Sequence, residues 1–177
     1  MALCLWLFWT YSFLGYLLEK TYAAVTASPR QARKCFLLLP LCPVYGLGAL
    51  AVLALPPDLT DGFWSLALWG ALTATAVEYV VHLLYDRLLG VRFWDYSQVR
   101  WNIRGRVCLP FTLVWGLLTA AVLPPLQLLL VPALATVPAI ITYFFLLLTT
   151  ADGVVSAALL RQAKDPESLR LWTSEAA

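Results

Sequence analysis

Charge is what this sequence has least of. Asp, Glu, Lys and Arg make up 12% of its 177 residues, and hydrophobic residues make up 62%. A soluble domain is roughly a quarter charged, so that class is excluded, and the mean hydropathy of +0.79 is that of an integral membrane protein. Whole stretches lack basic residues: PPDLTDG carries Asp58 and Asp61 but no Lys or Arg, and PPLQLLLVPALATVP, residues 124–138, has no charge at all. No G-x-x-x-x-G-K-[ST] loop is present, so an ATPase would have to be a separate subunit. The cysteines, at 4, 35, 42 and 108, have no C-x-x-C or zinc spacing, so no metal and no cofactor is expected; in the five-span topology below, Cys35 and Cys108 fall at a reducing face, where no disulfide is expected. The N-terminus has no basic region of the kind a signal peptide needs.

What the chain does have is hydrophobic length. A membrane-spanning helix takes about 20 apolar residues, and five candidate spans cover roughly 2–26, 35–55, 63–86, 107–130 and 137–160. The expectation is an all-α, polytopic five-helix bundle over 1–164 with a short tail, 165–177. With five spans every Lys and Arg lies on one face: Lys20, Arg30, Arg33 and Lys34; then Arg87, Arg92, Arg100, Arg104 and Arg106; then Arg161, Lys164 and Arg170. The positive-inside rule makes that face cytoplasmic, with the N-terminus outside, the C-terminus inside and the connector 87–106 at the cytoplasmic interface. Topology accounts for the basic residues, so no nucleic-acid partner is expected.

Acidic residues within the spans carry the chemistry. Glu78, His82 and Asp86 are spaced i, i+4, i+8 and share a helix stripe. Glu78 and Asp152 both lie about 12 Å from the basic end at 1.5 Å per residue, and Glu19 is close to that level. Intramembrane carboxylates are expensive and mark binding sites or proton paths. Span two is interrupted by Pro40, Pro43, Gly46 and Gly48, and broken helices of this type line transporter sites. A faint internal repeat pairs spans one and two with spans three and four. Each half has a Glu near the inner end, then a Cys-Pro element and an aromatic-Gly, in CPVYG (42–46) and CLPFTLVWG (108–116). Such a parallel repeat would bring Glu19 and Glu78 together.

The polar connector FWDYSQVRWNIRGR, residues 93–106, reads in two ways. Asp95 and Gln98 resemble a capping box, which predicts a short helix from Tyr96 with Arg100 and Arg104 on one face against lipid phosphates. Alternatively the connector is a lid under the acidic cavity, with an Arg or Asp95 pairing inside.

The runs FLGYLLE (13–19), CPVYGLG (42–48) and EYVVHLLYDRLLGVRFWDYSQVRWNIRGRVCLPFTLVWG (78–116) together resemble a bacterial integral membrane family, the "putative ABC-transporter type IV" or CmpB-like proteins. The resemblance covers roughly residues 10–118. It implies site positions at Glu19, Pro43, Tyr45, Gly46, Glu78, Trp94, Asp95, Tyr96, Ser97, Asn102 and Gly105. ARKCFLLLPLCP departs from the family's Asn-Arg-Gly-Phe-like and Gly-Pro-like approach to the Pro-x-Tyr-Gly element.

The expected function is a small transport protein of the bacterial inner membrane, either a permease-like subunit or a secondary transporter. Its substrate or ion site comprises Glu19, Glu78, His82, Asp152, Pro43, Tyr45 and Gly46. The lipid bilayer, a second copy in a homodimer and a separate ATPase subunit are its partners. Two alternatives stay open: an accessory or assembly subunit whose polar residues hold helices together, and an intramembrane lipid-modifying enzyme with Glu78 as base and His82 as orienter.

Overall fold

Among the described residues, four helices are long and apolar enough to cross a membrane, with a fifth, shorter apolar helix between the first two of them. They come from a computed structural model that describes residues 1–26 and 35–169. Arg30, Arg33, Lys34 and Arg170, and the tail beyond 169, lie outside the described residues. In chain order the elements are α1 (Ala2–Thr26), α2 (Pro43–Leu53), the single turn α3 (Pro57–Thr60), α4 (Phe63–Leu84), a π-helical turn (Tyr85–Leu89), β1 (Asn102–Ile103), β2 (Val107–Cys108), α5 (Leu109–Ala135), α6 (Ala139–Ala163) and a final 3₁₀ turn (Pro166–Leu169).

Helix α1 packs on α2, α2 on α4, α4 on α5 and α5 back on α1, closing a four-helix ring, while α6 lies outside it against α1. Trp6, Trp9 and Phe145 cluster at the α1–α6 contact, and the Trp6 indole donates to Thr142 Oγ1 at 2.9 Å. A second apolar cluster joins Val81 of α4 to Val91, Phe93, Trp94 and Tyr96 of the connector and to Leu160 and Leu169. The connector is therefore folded onto one end of the bundle, called here the connector end.

The second span departs most from the sequence-based expectation. A continuous helix over 35–55 does not form. Residues 35–42 are non-helical, and only the 11 residues Pro43–Leu53 are helical. Pro43 occupies the first turn, where its missing N–H is no loss, and the helix starts there. The freed backbone upstream is satisfied by protein. Asp152 Oδ1 accepts from Leu38 N at 3.0 Å and Oδ2 from Leu39 N at 2.9 Å, and Cys42 N donates to the Ser12 carbonyl at 2.9 Å. Cys35 and Cys42 form a disulfide, Cα–Cα 4.7 Å, where none was expected. The expectation rests on a reducing face and a continuous helix, which would hold residues seven apart about 10 Å from each other; the non-helical segment instead folds its two ends together. The long membrane-type helices thus number four among the described residues, not five.

Span four extends further than the reading to 130. Helix α5 runs through Pro124, Pro125 and Pro132 to Ala135. Prolines are tolerated in membrane helices when neighbours re-satisfy the freed carbonyls.

The hairpins α1–α2 and α4–α5 are built to one plan. A β-carbon on Gly46 would lie 2.5 Å from the Phe8 carbonyl oxygen, and one on Gly116 would lie 2.5 Å from that of Ala67. Each glycine thus lets its helix approach the preceding helix's backbone, a contact only glycine permits. Phe8 precedes Glu19 by eleven residues, and Ala67 precedes Glu78 by the same eleven. The next turn matches as well, with Ser12 beside Gly46 and Ala71 beside Gly116.

Candidate functional site

A cavity of about 430 Å³ lies inside the ring of α1, α2, α4 and α5. Its lining follows the repeat. Glu19 and Glu78, Tyr45 and Trp115, Gly48 and Leu118, Ala49 and Thr119, and Val52 and Val122 all face it, and each pair holds equivalent places in the two hairpins. Half of the lining residues are aliphatic. Tyr11 and Thr119 line the wall away from the connector, while the two carboxylates lie toward the connector end.

There the two carboxylates are held alike. The Tyr45 hydroxyl donates to Glu19 Oε1 at 2.6 Å, and the Trp115 indole N–H donates to Glu78 Oε2 at 3.0 Å. In each half the residue before the packing glycine thus reaches the glutamate of the preceding helix. The two rings meet edge to face with centroids 5.5 Å apart, a favoured aromatic geometry. Glu78 is buried at 7% exposure, whereas Glu19 is only partly buried.

The connector covers this end. Trp94 and Tyr96 line the cavity, and the Tyr96 hydroxyl donates to Glu78 Oε1 at 3.1 Å. Burial, then the adjacent Glu78 carboxylate, push the Tyr96 phenol far above its usual range, so it stays a neutral donor. Asp95 and Ser97 alternate outward in the extended chain. Thus, of the connector's side chains, Tyr96 reaches the buried acid, while Asp95, Arg100 and Arg104 point outward and Arg106 goes to Asp86.

No helix begins at Tyr96. Asp95 Oδ1 accepts from Ser97 N at 2.8 Å, closing an Asx-type turn in place of a helix cap. Asn102 organises the rest. Its Nδ2 donates to the Val99 carbonyl at 2.8 Å, and its Oδ1 accepts from Gly105 N at 2.9 Å. Trp101, Arg104 and Gly105 have φ of 62°, 54° and 68°, which no helix allows. Strands β1 and β2 pair across that turn, and Tyr96 N donates to the Gly105 carbonyl at 2.8 Å. Arg100 and Arg104 are exposed. Arg106 instead turns back to Asp86 at 2.9 Å, and Asp86 also holds Arg92 at 3.1 Å.

Four expected members of the site, His82, Asp152, Pro43 and Gly46, do not line the cavity. His82 is buried, but its Nε2 donates to the Trp94 carbonyl at 3.0 Å, so it anchors the connector rather than orienting Glu78. Asp152 faces the non-helical segment 35–42 and Ser156, whose hydroxyl donates to it at 3.0 Å, and it does not line the cavity. Pro43 starts α2, and Gly46 serves the α1 contact. Among the described residues no three His, Cys, Asp or Glu side chains converge to hold a metal ion. Trp115 was not among the sequence-predicted site residues, although the repeat aligns it with Tyr45.

Residues 6–157 match the family described as "Putative ABC-transporter type IV". No curated protein and no solved structure matches the chain.

Proposed function

The chain belongs to that family, a group of ABC-transporter-related, multi-pass membrane proteins, and on that premise we propose that it is the membrane-embedded subunit of a transporter with its binding site in the cavity of α1, α2, α4 and α5. The observation that carries this reading is the pair of matched carboxylate–aromatic units, Glu19 with Tyr45 and Glu78 with Trp115, opening on one cavity. Acids at membrane depth are retained where they bind or move something.

In this reading the chain crosses the bacterial inner membrane five times. The second crossing is the non-helical segment 35–42 followed by α2. The connector end, which carries Arg87, Arg92, Arg100, Arg104, Arg106, Arg161 and Lys164, faces the cytoplasm, and the N-terminus faces outward. A homodimer completes the pathway. A separate nucleotide-binding subunit supplies the energy and meets the exposed Arg100, Trp101 and Arg104 of the connector.

The test is affinity purification of the tagged full chain from native membranes in mild detergent, with mass spectrometry and native mass of the complex. A stoichiometric subunit with a phosphate-binding loop is expected. A lone homo-oligomer would overturn the ATP-driven form and leave a secondary transporter. An impermeant thiol reagent reacting with an Arg104→Cys variant from outside intact cells would overturn the orientation.

A further inference from the structure

The acids of the cavity are engaged by the chain itself. Glu19 takes the Tyr45 hydroxyl, and Glu78 takes Tyr96 and Trp115. What the cavity offers a ligand is its aliphatic part. Leu14, Ala49, Val52, Val122, Leu123 and Leu126 line the wall away from the connector. The volume of about 430 Å³ falls in the range of organic ligand sites. Water is a poor occupant of an aliphatic wall, because each molecule needs several polar partners.

The side of the ring between α1 and α5 is a window. These two helices make the loosest of the ring's four contacts. A tie at each end holds them. Toward the connector, Tyr22 meets Phe111 edge to face, with centroids 6.5 Å apart. At the far end, Gln127 Nε2 donates to the Tyr11 hydroxyl at 2.9 Å. Tyr11 and Tyr22 are eleven residues apart, about 16 Å of helix at 1.5 Å per residue. Between the ties, Leu18, Leu118 and Val122 line the cavity and are 39%, 37% and 39% exposed, so the cavity opens sideways there. Both helices are long and apolar enough to cross a membrane, so the medium at the window is lipid hydrocarbon. Lipid tails are as apolar as leucine, and a tail can pass from the bilayer to this wall without stripping water from a polar group.

Resting on the reading of this cavity as the binding site, we propose that its ligand is a membrane lipid, one hydrocarbon chain of which enters through the α1–α5 window and lies along Val52, Val122 and Leu126.

The probe is a phosphatidylglycerol with a diazirine midway along one acyl chain, mixed into nanodiscs that hold the full chain. Illumination, then tandem mass spectrometry of peptic peptides, locates the label. Leu128 and Leu129 of α5, 78% and 71% exposed, report lipid around the protein. Val52 and Leu123, 2% and 9% exposed on the cavity wall, report a chain inside it. Label is expected at both places. Gly48 gives the control. It is buried on the wall, and a β-carbon there meets nothing within 4 Å. Gly48→Leu fills the space and favours the helix, so it should keep the unfolding temperature. It should lower the label on Val52 and Leu123 at least fivefold and change that on Leu128 and Leu129 less than twofold. No label on Val52 and Leu123 in the wild type, or undiminished label there in Gly48→Leu, would overturn the proposal. An ATPase partner retained by a chain that takes no label inside the cavity overturns the ligand class alone. Label inside the cavity of a chain that purifies without any ATPase overturns the ATP-driven form alone.

Discussion

The hairpins α1–α2 and α4–α5 share a glutamate on the first helix and an aromatic donor next to a packing glycine on the second, yet their second helices begin differently. Helix α5 runs 27 residues from a start covered by the connector. Helix α2 has 11 residues and follows a non-helical stretch whose amides are held from outside the hairpin, by Asp152 of α6. The connector gives Glu78 a further donor in Tyr96 and buries it, while Glu19 remains partly exposed. One structural unit used twice has thus become a covered half and a more open half. What differs is the support around each half, while the unit itself stays the same.

The largest effect should come from removing the support that only the first hairpin needs. Asp152→Ala takes the carboxylate from the Leu39 amide and the Ser156 hydroxyl and leaves the Leu38 amide with Ser156 Oγ at 3.3 Å, and each polar group left unsatisfied costs about 1–3 kcal/mol. A loss of about 3 kcal/mol in thermal unfolding is expected. Asp152→Asn, which keeps an acceptor, should recover part of it. If both variants matched wild type, the non-helical segment would not depend on α6, and the contrast between the halves would fail.

Next are the shared contacts. Gly46→Ala and Gly116→Ala each push a β-carbon against a backbone carbonyl. Overpacking of this kind costs about 1–3 kcal/mol. Losses of similar size in the two variants would sharpen the equivalence, and a large loss in one alone would break it.

A smaller effect is expected from the donors. Tyr45→Phe removes the bond to Glu19, and Trp115→Phe removes the bond to Glu78. A hydrogen bond to a charged group contributes about 1.5–3 kcal/mol, less where solvent reaches it. Trp115→Phe should therefore lower the unfolding temperature more than Tyr45→Phe, because Glu78 is the more buried acid. The reverse order would show that burial does not set the strength of these two bonds. The smallest effect belongs to the exposed connector. Arg100→Gln and Arg104→Gln should shift stability by no more than about 0.5 kcal/mol, while lowering recovery of the ATPase subunit in the same purification.

Composition and run length alone determined that this is a multi-pass helical membrane protein, because lipid leaves a backbone few ways to satisfy its polar groups. They also placed the long helices and their basic end, and the repeat in CPVYG and CLPFTLVWG was legible as a likeness of short motifs. The tertiary structure decided the rest. Pro40 and Pro43 predict an interruption, but only packing shows Asp152 taking the freed amides instead of joining the acids. The i, i+4 spacing of Glu78 and His82 shows a shared stripe, yet the Trp94 carbonyl, twelve residues on, takes the histidine. Asp95 and Gln98 read as a helix cap, yet Asn102 and the positive φ angles turn the connector into a paired loop. Each of these depends on which distant group satisfies a polar atom first. Local spacing lists the candidates for that partner, and only the packed chain selects one of them.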